Sequence, residues 1–162
     1  MSGEPVSYRD TVMATDPASV RAITESTGFF YPDEIETAVE LVEERLEKGL
    51  KSGYHFVFAQ AGGRAVGYSC FGPIACTKSS FDHYWLAVAD DWRGKGLGTE
   101  LIRATERAIA ALGGERIYIE TSSRPQYEPT RAFYIARGYA KEAELRDFYG
   151  PQDSKVIYVK VL

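Results

Sequence analysis

Histidine and cysteine are scarce in this chain: 162 residues hold two of each. Cys70 and Cys76 lack the spacing of a metal finger, and His55 and His83 are too few to complete a Cys/His zinc centre. No metal is expected, and both cysteines read as reduced thiols of a cytoplasmic protein. A basic excess is missing too. The 19 Lys and Arg stand against 23 Asp and Glu, a net charge of −4. Nucleic-acid binding leans on a basic face turned to the phosphate backbone, so no nucleic-acid partner is expected. Long apolar runs are absent. The longest uncharged stretch, 65–77, is broken by Gly and Pro and is too short to cross a bilayer, so no membrane partner is expected either. The opening MSGEPVSYRDTVMATD has no positive segment followed by an apolar core, which argues against a secretory leader.

What is present suits one α/β domain over residues 1–162. Hydrophobic residues make up 44% and charged ones 26%, enough for a core of ordinary size. PVSYRDTVM reads as an opening strand. TDPASVRAITESTG reads as a helix with Asp16 as N-cap, Pro17 at the first helical position and Gly28 as its stop. In YPDEIETAVELVEERLEKG, the residues Ile35, Val39, Val42 and Leu46 fall on one face, while Glu43, Glu44, Glu47 and Lys48 form the solvated side. Two apolar runs joined at Gly62-Gly63 predict a hairpin. FDHYWLAVAD predicts a central strand, and the helix after it has a predicted buried stripe of Leu97, Leu101, Ala104, Ala108 and Leu112. RIYIET, a helix in PTRAFYIARG, a strand around YAKEAEL and a last strand KVIYVKVL complete the order βααβββαβαββ, a mixed sheet with helices.

The stretch DDWRGKGLGTELIRATERAIAAL, from Asp90 on, interleaves Gly94, Gly96 and Gly98 with Arg93, Lys95 and Leu97 between a strand and a helix. It does not have the Walker A spacing. It fails the G-x-G-x-x-G dinucleotide pattern as well, because Thr99 stands where the third glycine belongs. Arg93-x-x-Gly96-x-Gly98 does fit. Free N–H groups at a helix start, the helix dipole and glycines that admit close approach make an anion site there. The same residues also suit a plain strand-to-helix turn.

Two motifs together decide more than either alone. Arg93-x-x-Gly96-x-Gly98 is followed, after one strand, by Phe133-Tyr134-Ile135-Ala136-Arg137-Gly138-Tyr139. In these contexts the chain resembles the GNAT superfamily of N-acetyltransferases, most closely over 84–139. The resemblance implies a single α/β (α+β) domain: a mixed, mostly antiparallel sheet flanked by helices, with a splayed central strand pair. It implies acetyl-CoA as acyl donor, with Arg93, Gly94, Lys95, Gly96, Leu97, Gly98 and Thr99 at its pyrophosphate. Leu86, Ala87 and Val88 would offer main-chain groups to the pantetheine arm, Thr130 would cap the next helix or contact the cofactor, and Phe133 would add a contact. One family feature is missing: an Asn commonly stands seven residues before the motif tyrosine, and here that position is Tyr127. The side-chain contacts of that helix are therefore the open part of the assignment.

The implied reaction is direct attack of a neutral amine on the thioester. By resemblance Tyr134 is the general acid, since a phenol of pKa about 10 stays protonated at neutral pH. Glu120, near the end of RIYIET, is the favoured base; His83, Asp82 and a water stay open. Asp82 and His83 alternate along a strand and so cannot both face one cleft. The acceptor region is expected to draw on the first two helices, GPIACTKSSF and RDFYGPQDSK. Tyr31, Tyr127, Phe148 and Tyr149 would line it, and Asp33, Glu34, Glu128 and Asp147 would form an acidic rim suited to a cationic small molecule, an amino-acid-like compound or a peptide N-terminus. The C-terminal aromatics could also pack in a homodimer. Two other readings compete: a non-catalytic acyl-CoA sensor that keeps the loop, and an interaction module in which the loop only turns the chain.

Overall fold

The structure is a computed structural model and describes residues 3–162. The opening stretch read above as leaderless begins with Met1 and Ser2, which lie outside the described residues. The elements are β1 (Ser7–Arg9), α1 (Asp16–Ser26), α2 (Pro32–Lys48), β2 (His55–Ala61), β3 (Arg64–Pro73), β4 (Ser80–Val88), α3 (Leu97–Ala111), β5 (Arg116–Ser122), α4 (Glu128–Ala136), β6 (Ala140–Gly150) and β7 (Asp153–Val161). The order is the expected βααβββαβαββ. The strands form one seven-stranded sheet, β1-β2-β3-β4-β5-β7-β6. The pairs β1–β2, β2–β3, β5–β7 and β6–β7 are antiparallel, and β4–β5 is parallel. The chain forms two compact units, one of residues up to Gly72 with Trp85–Ala108, the other of Pro73–Tyr84 with Ile109–Leu162.

In the first unit, Gly62 (φ 56°) and Gly63 (φ 76°) turn the β2–β3 hairpin; the left-handed pair matches the twist of the strands. Val20, Ile23, Val39, Val42, Phe56, Phe58 and Tyr68 fill the core. Several local expectations need correction. The opening strand is only Ser7–Arg9, and Asp16 is not the N-cap of α1; Thr15 is. Asp16 is wholly buried, accepts from Arg9 Nη1 at 2.8 Å and Nη2 at 2.6 Å, and takes the Met13 N–H at 2.7 Å. Its oxygens hold a cation instead of capping the helix. Leu46 is 41% exposed, because it sits in the last turn of α2, beyond the packed residues Ile35, Val39 and Val42. The buried face of α3 is Leu97, Leu101, Ile102, Thr105 and Ile109; Ala104 and Ala108 are half-buried, and Leu112 lies past the helix end and is exposed. Thr105 faces inward because its hydroxyl is satisfied, 2.6 Å from Ser69 Oγ and 2.8 Å from Leu101 O.

Gly67 of β3 shows how closely α3 docks. A Cβ there would lie 2.9 Å from Leu101 Cδ1, 3.3 Å from Leu97 Cδ2 and 3.2 Å from Ala87 O. The start of α3 and the end of β4 are thus both fixed against β3.

In the second unit the parallel β4–β5 ladder is short, from Ser80/Arg116 to Asp82/Tyr118, so Leu86, Ala87 and Val88 lie past its end. β5 pairs with β7 along its whole length, from Arg116/Val161 to Ser122/Lys155. The β6–β7 register shifts between Lys141 and Ala143 and again between Leu145 and Gly150. Gly114, after α3, is required by space: an added Cβ would lie 2.3 Å from Ile109 Cγ2 and 2.8 Å from Phe81 Cδ2. Neither a branched side chain nor a packed ring can swing away, so Gly114→Ala is expected to cost about 1–3 kcal/mol. Chemical denaturation checks this, with Gly113→Ala as comparison: Gly113 has open space and only its φ of 86° at stake.

Candidate active site

The glycine turn belongs to the first unit. Ala89 N–H donates to Val66 O at 2.8 Å and anchors the end of β4 to β3. A short 3₁₀ turn, Asp90–Trp92, follows. Gly94 (φ 72°) and Gly96 (φ 80°) then take left-handed conformations, and an added Cβ at either would meet nothing within 4 Å. These glycines answer a demand of the backbone, and the space over them is open. The helical ladder starts with Glu100 N–H donating to Gly96 O at 3.2 Å, so the first-turn N–H groups precede it. Leu97 is buried and pins the turn. Arg93 is exposed, 3.5 Å from Asp90, and Lys95 Nζ lies 4.7 Å from the Trp92 ring centroid. Gly98 and Thr99 are half-buried in the first turn of α3. Backbone donors, a helix dipole and two exposed cations suit a pyrophosphate. Just before the turn, Ala87 is buried with its carbonyl toward Gly67, while Leu86 and Val88 are half-buried.

Tyr134 belongs to the second unit, on α4. It is 8% exposed and packed edge-to-face against Phe133 (centroids 5.4 Å apart) and Tyr139 (5.8 Å). Burial pushes its phenol up to about 12. Phe133 is half-buried under the Arg137 guanidinium, 3.7 Å from its ring centroid. Thr130 does not cap α4. The helix starts earlier, with Tyr127 at the N-cap and Pro129 in the first turn, so Thr130 already stands inside it. Arg131 ties α4 to the end of β5, donating to Ser122 O at 2.7 Å and Arg124 O at 3.0 Å.

Of the three side chains considered as base, two come together. Asp82 stands on the last rung of the parallel ladder. Burial and the charge of Glu120 raise its carboxyl above the usual range, while Lys155 and a hydrogen bond with Tyr84 pull it back. Glu120 is half exposed, its Oε2 2.9 Å from Lys155 Nζ. His83, the next residue on β4, is buried. Tyr149 and Tyr127 belong to the same cluster: the Tyr149 phenol is pushed up to about 12 by burial and then by Glu120, Asp153 and Tyr127. Phe148 covers Lys155. Asp147 turns away to cap its hairpin, accepting from Gln152 N at 3.0 Å. Glu128 is exposed in the first turn of α4, and Tyr31, Asp33 and Glu34 belong to the other unit.

The sequence places Asp153 and Lys155 in the expected acceptor stretch RDFYGPQDSK without singling either out, and gives no role to Arg124. Arg124 Nε lies 3.2 Å from Asp153, and Ser122 bonds the same carboxylate. The signal was thin: only the register of the β7 strand, which sets Lys155 opposite Ser122, brings Lys155 near Glu120. Among the described residues no group of three or more His, Cys, Asp or Glu could hold a metal ion, and no helix is long and apolar enough to cross a membrane.

Comparison with known proteins agrees with the fold. Residues 52–141 match the family model of the acetyltransferase (GNAT) domain. A crystal structure of a GNAT-family protein from Desulfovibrio desulfuricans is 41% identical and superposes with a TM-score of 0.95, covering 97% of this chain and 99% of that one. An aminoglycoside 6'-N-acetyltransferase complexed with coenzyme A has the same fold at 21% identity, with a TM-score of 0.77 and coverage of 97% and 96%. So does the PaiA N-acetyltransferase of Thermoplasma acidophilum in complex with coenzyme A, at 17% identity and a TM-score of 0.73, covering 98% and 99%. No curated protein is significantly similar to the sequence. On the family match and the 41% identity over nearly the whole length of both chains, the chain belongs to the GNAT family of acetyltransferases.

Proposed function

We propose that this chain transfers the acetyl group of acetyl-CoA to a primary amine of a small molecule, an amino-acid-like compound or a peptide, by direct attack. The observation that carries the proposal is the turn Arg93–Thr99. Two left-handed glycines with open space above them lead straight into the N-terminus of a helix pinned by Leu97, and such a turn receives a pyrophosphate. Main-chain groups of Leu86–Val88, past the end of the short parallel ladder, pair with the pantetheine arm.

An alkylamine of pKa about 10.4 is almost wholly ammonium at pH 7, so a proton must leave before attack. The Asp82–Glu120 pair accepts it. Glu120 is engaged by Lys155, whereas burial and the neighbouring charge raise the carboxyl of Asp82 above its usual range. The neutral nitrogen forms the C–N bond, charge builds on the carbonyl oxygen, and a main-chain N–H near Val88 stabilises it. The C–S bond breaks as the bonded nitrogen gives up its second proton to water, the CoA thiolate departs, and the family resemblance assigns Tyr134 to that sulfur. With its phenol at about 12 and an ordinary thiol near 8.5, full proton transfer to sulfur is uphill by roughly 3–4 pK units. Tyr134 therefore works mainly as a hydrogen-bond donor to the developing thiolate.

Thermal unfolding with acetyl-CoA, beside free CoA and ATP, tests the reading. A ligand at about 100 times its Kd adds roughly 2.7 kcal/mol, and each kcal/mol moves the midpoint of a domain this size by roughly 2–4 °C. A clear rise with acetyl-CoA and CoA, and not with ATP, is the expected result. No rise at saturating acetyl-CoA would sink the assignment of the glycine turn.

A further inference from the structure

Lys155 is a charged group of the second unit that stands beside the carboxylate pair and takes no proton in the transfer chemistry. It lies on β7, opposite Ser122 of β5 and Leu145 of β6. Its side chain is only 13% exposed. The ammonium is held between two surfaces of matching chemistry: Glu120 Oε2 at 2.9 Å and the face of the Phe148 ring, whose centroid lies 3.9 Å away. A carboxylate on one side and a ring face on the other form a receptor for an ammonium group. Here the chain's own ammonium fills it.

The local charge follows from the partners. Asp82 and Glu120 bring two negative charges, and Lys155 acts on both. The nearby Asp153 is matched by Arg124. One negative charge is left over, next to the half-exposed rings of Phe148 and Tyr149. If Lys155 were neutral, two would be.

We propose that Lys155 is a specificity-determining residue: it neutralises one of the two carboxylates at the acceptor subsite, so that the subsite takes an amine with a single ammonium and an apolar body over a diamine or polyamine. The proposal rests on the acetyl-transfer reading in one respect, that the acceptor nitrogen is delivered to the Asp82–Glu120 pair. A first ammonium finds the uncompensated charge. A second, a few carbons away, meets Lys155. Like charges at such separations repel strongly where water is partly excluded.

The test compares n-pentylamine with 1,5-diaminopentane, equal in length and differing by one charge, by calorimetry on the CoA-saturated full chain. The wild type is expected to bind n-pentylamine about tenfold more tightly than the diamine. Lys155→Met keeps the length of the side chain without its charge, and is expected to move that ratio about tenfold toward the diamine. Lys155→Arg keeps the charge and is expected to restore the wild-type preference. Glu120→Gln gives a readout independent of any Lys155 variant: with Asp82 alone against Lys155, n-pentylamine affinity falls about tenfold. An unchanged ratio in Lys155→Met, a wild type that prefers the diamine, or binding of neither amine overturns the proposal. CoA is titrated first in the same cell. A chain that binds CoA but ignores the charge at position 155 overturns this assignment and leaves acetyl transfer standing. A chain that binds no CoA overturns both.

Discussion

Tyr134→Phe is expected to lower kcat about 100-fold, the low end of the range for a positioned acid, with acetyl-CoA affinity unchanged. The substitution removes one oxygen from a ring that stays packed between Phe133 and Tyr139, so thermal stability should change little. The modest size follows from the acid's weakness: a phenol at about 12 donates a hydrogen bond to sulfur more readily than it yields its proton. The pH dependence has a definite sign. The hydroxyl is a donor while protonated, so raising the pH costs nothing at this residue until the pH approaches about 12. The wild-type kcat profile should show no alkaline fall from Tyr134 across the working range. Steady-state kinetics against an amine panel, with the CoA thermal shift as control, checks this. Turnover of no amine, with CoA binding intact and wild type and variant indistinguishable, would favour the non-catalytic sensor instead.

Asp16→Ala is expected to be the most damaging substitution for stability. Asp16 is 0% exposed and is the partner of the Arg9 guanidinium, which also lies 4.4 Å above the Phe58 ring. Removing the carboxylate leaves a nearly buried cation uncompensated and takes the acceptor from the Met13 N–H. Breaking one side of a buried pair costs about 3–5 kcal/mol, which in a domain this size lowers the thermal midpoint by roughly 10 °C. The double variant Arg9→Met/Asp16→Leu should recover part of the loss, because no charge is then stranded, though Met13 still lacks its acceptor. A single variant as stable as wild type in both thermal and urea unfolding would show that the pair contributes nothing net.

Legibility tracked the range of the interaction. The Gly62-Gly63 hairpin, the Pro32–Lys48 helix and the turn at Gly94–Gly98 are set by neighbours in sequence through backbone conformation and periodicity, and all three could be read directly. Asp16 looked like a cap because a short acid before a helix usually is one. Its diversion to Arg9 depends on β1 lying beside the start of α1, which no local pattern encodes. Leu112 continued the stripe of α3 in sequence, but the helix ends at Ala111 and leaves it exposed. Glu120 could be picked out as a carboxylate, yet the ion pair with Lys155 comes from antiparallel register between β5 and β7.

The sequence by itself determined the order of elements, the glycine turn ahead of α3 and the two motifs that point to the GNAT family, because each is written in short-range constraints: φ of glycines, helix period and strand alternation. Only the tertiary structure decided which charges meet. Asp82 with Glu120, Lys155 between Glu120 and the Phe148 ring, and Arg9 on Asp16 join residues far apart in the chain. Electrostatic energy depends on distance in space and on burial, and neither is a property of sequence separation.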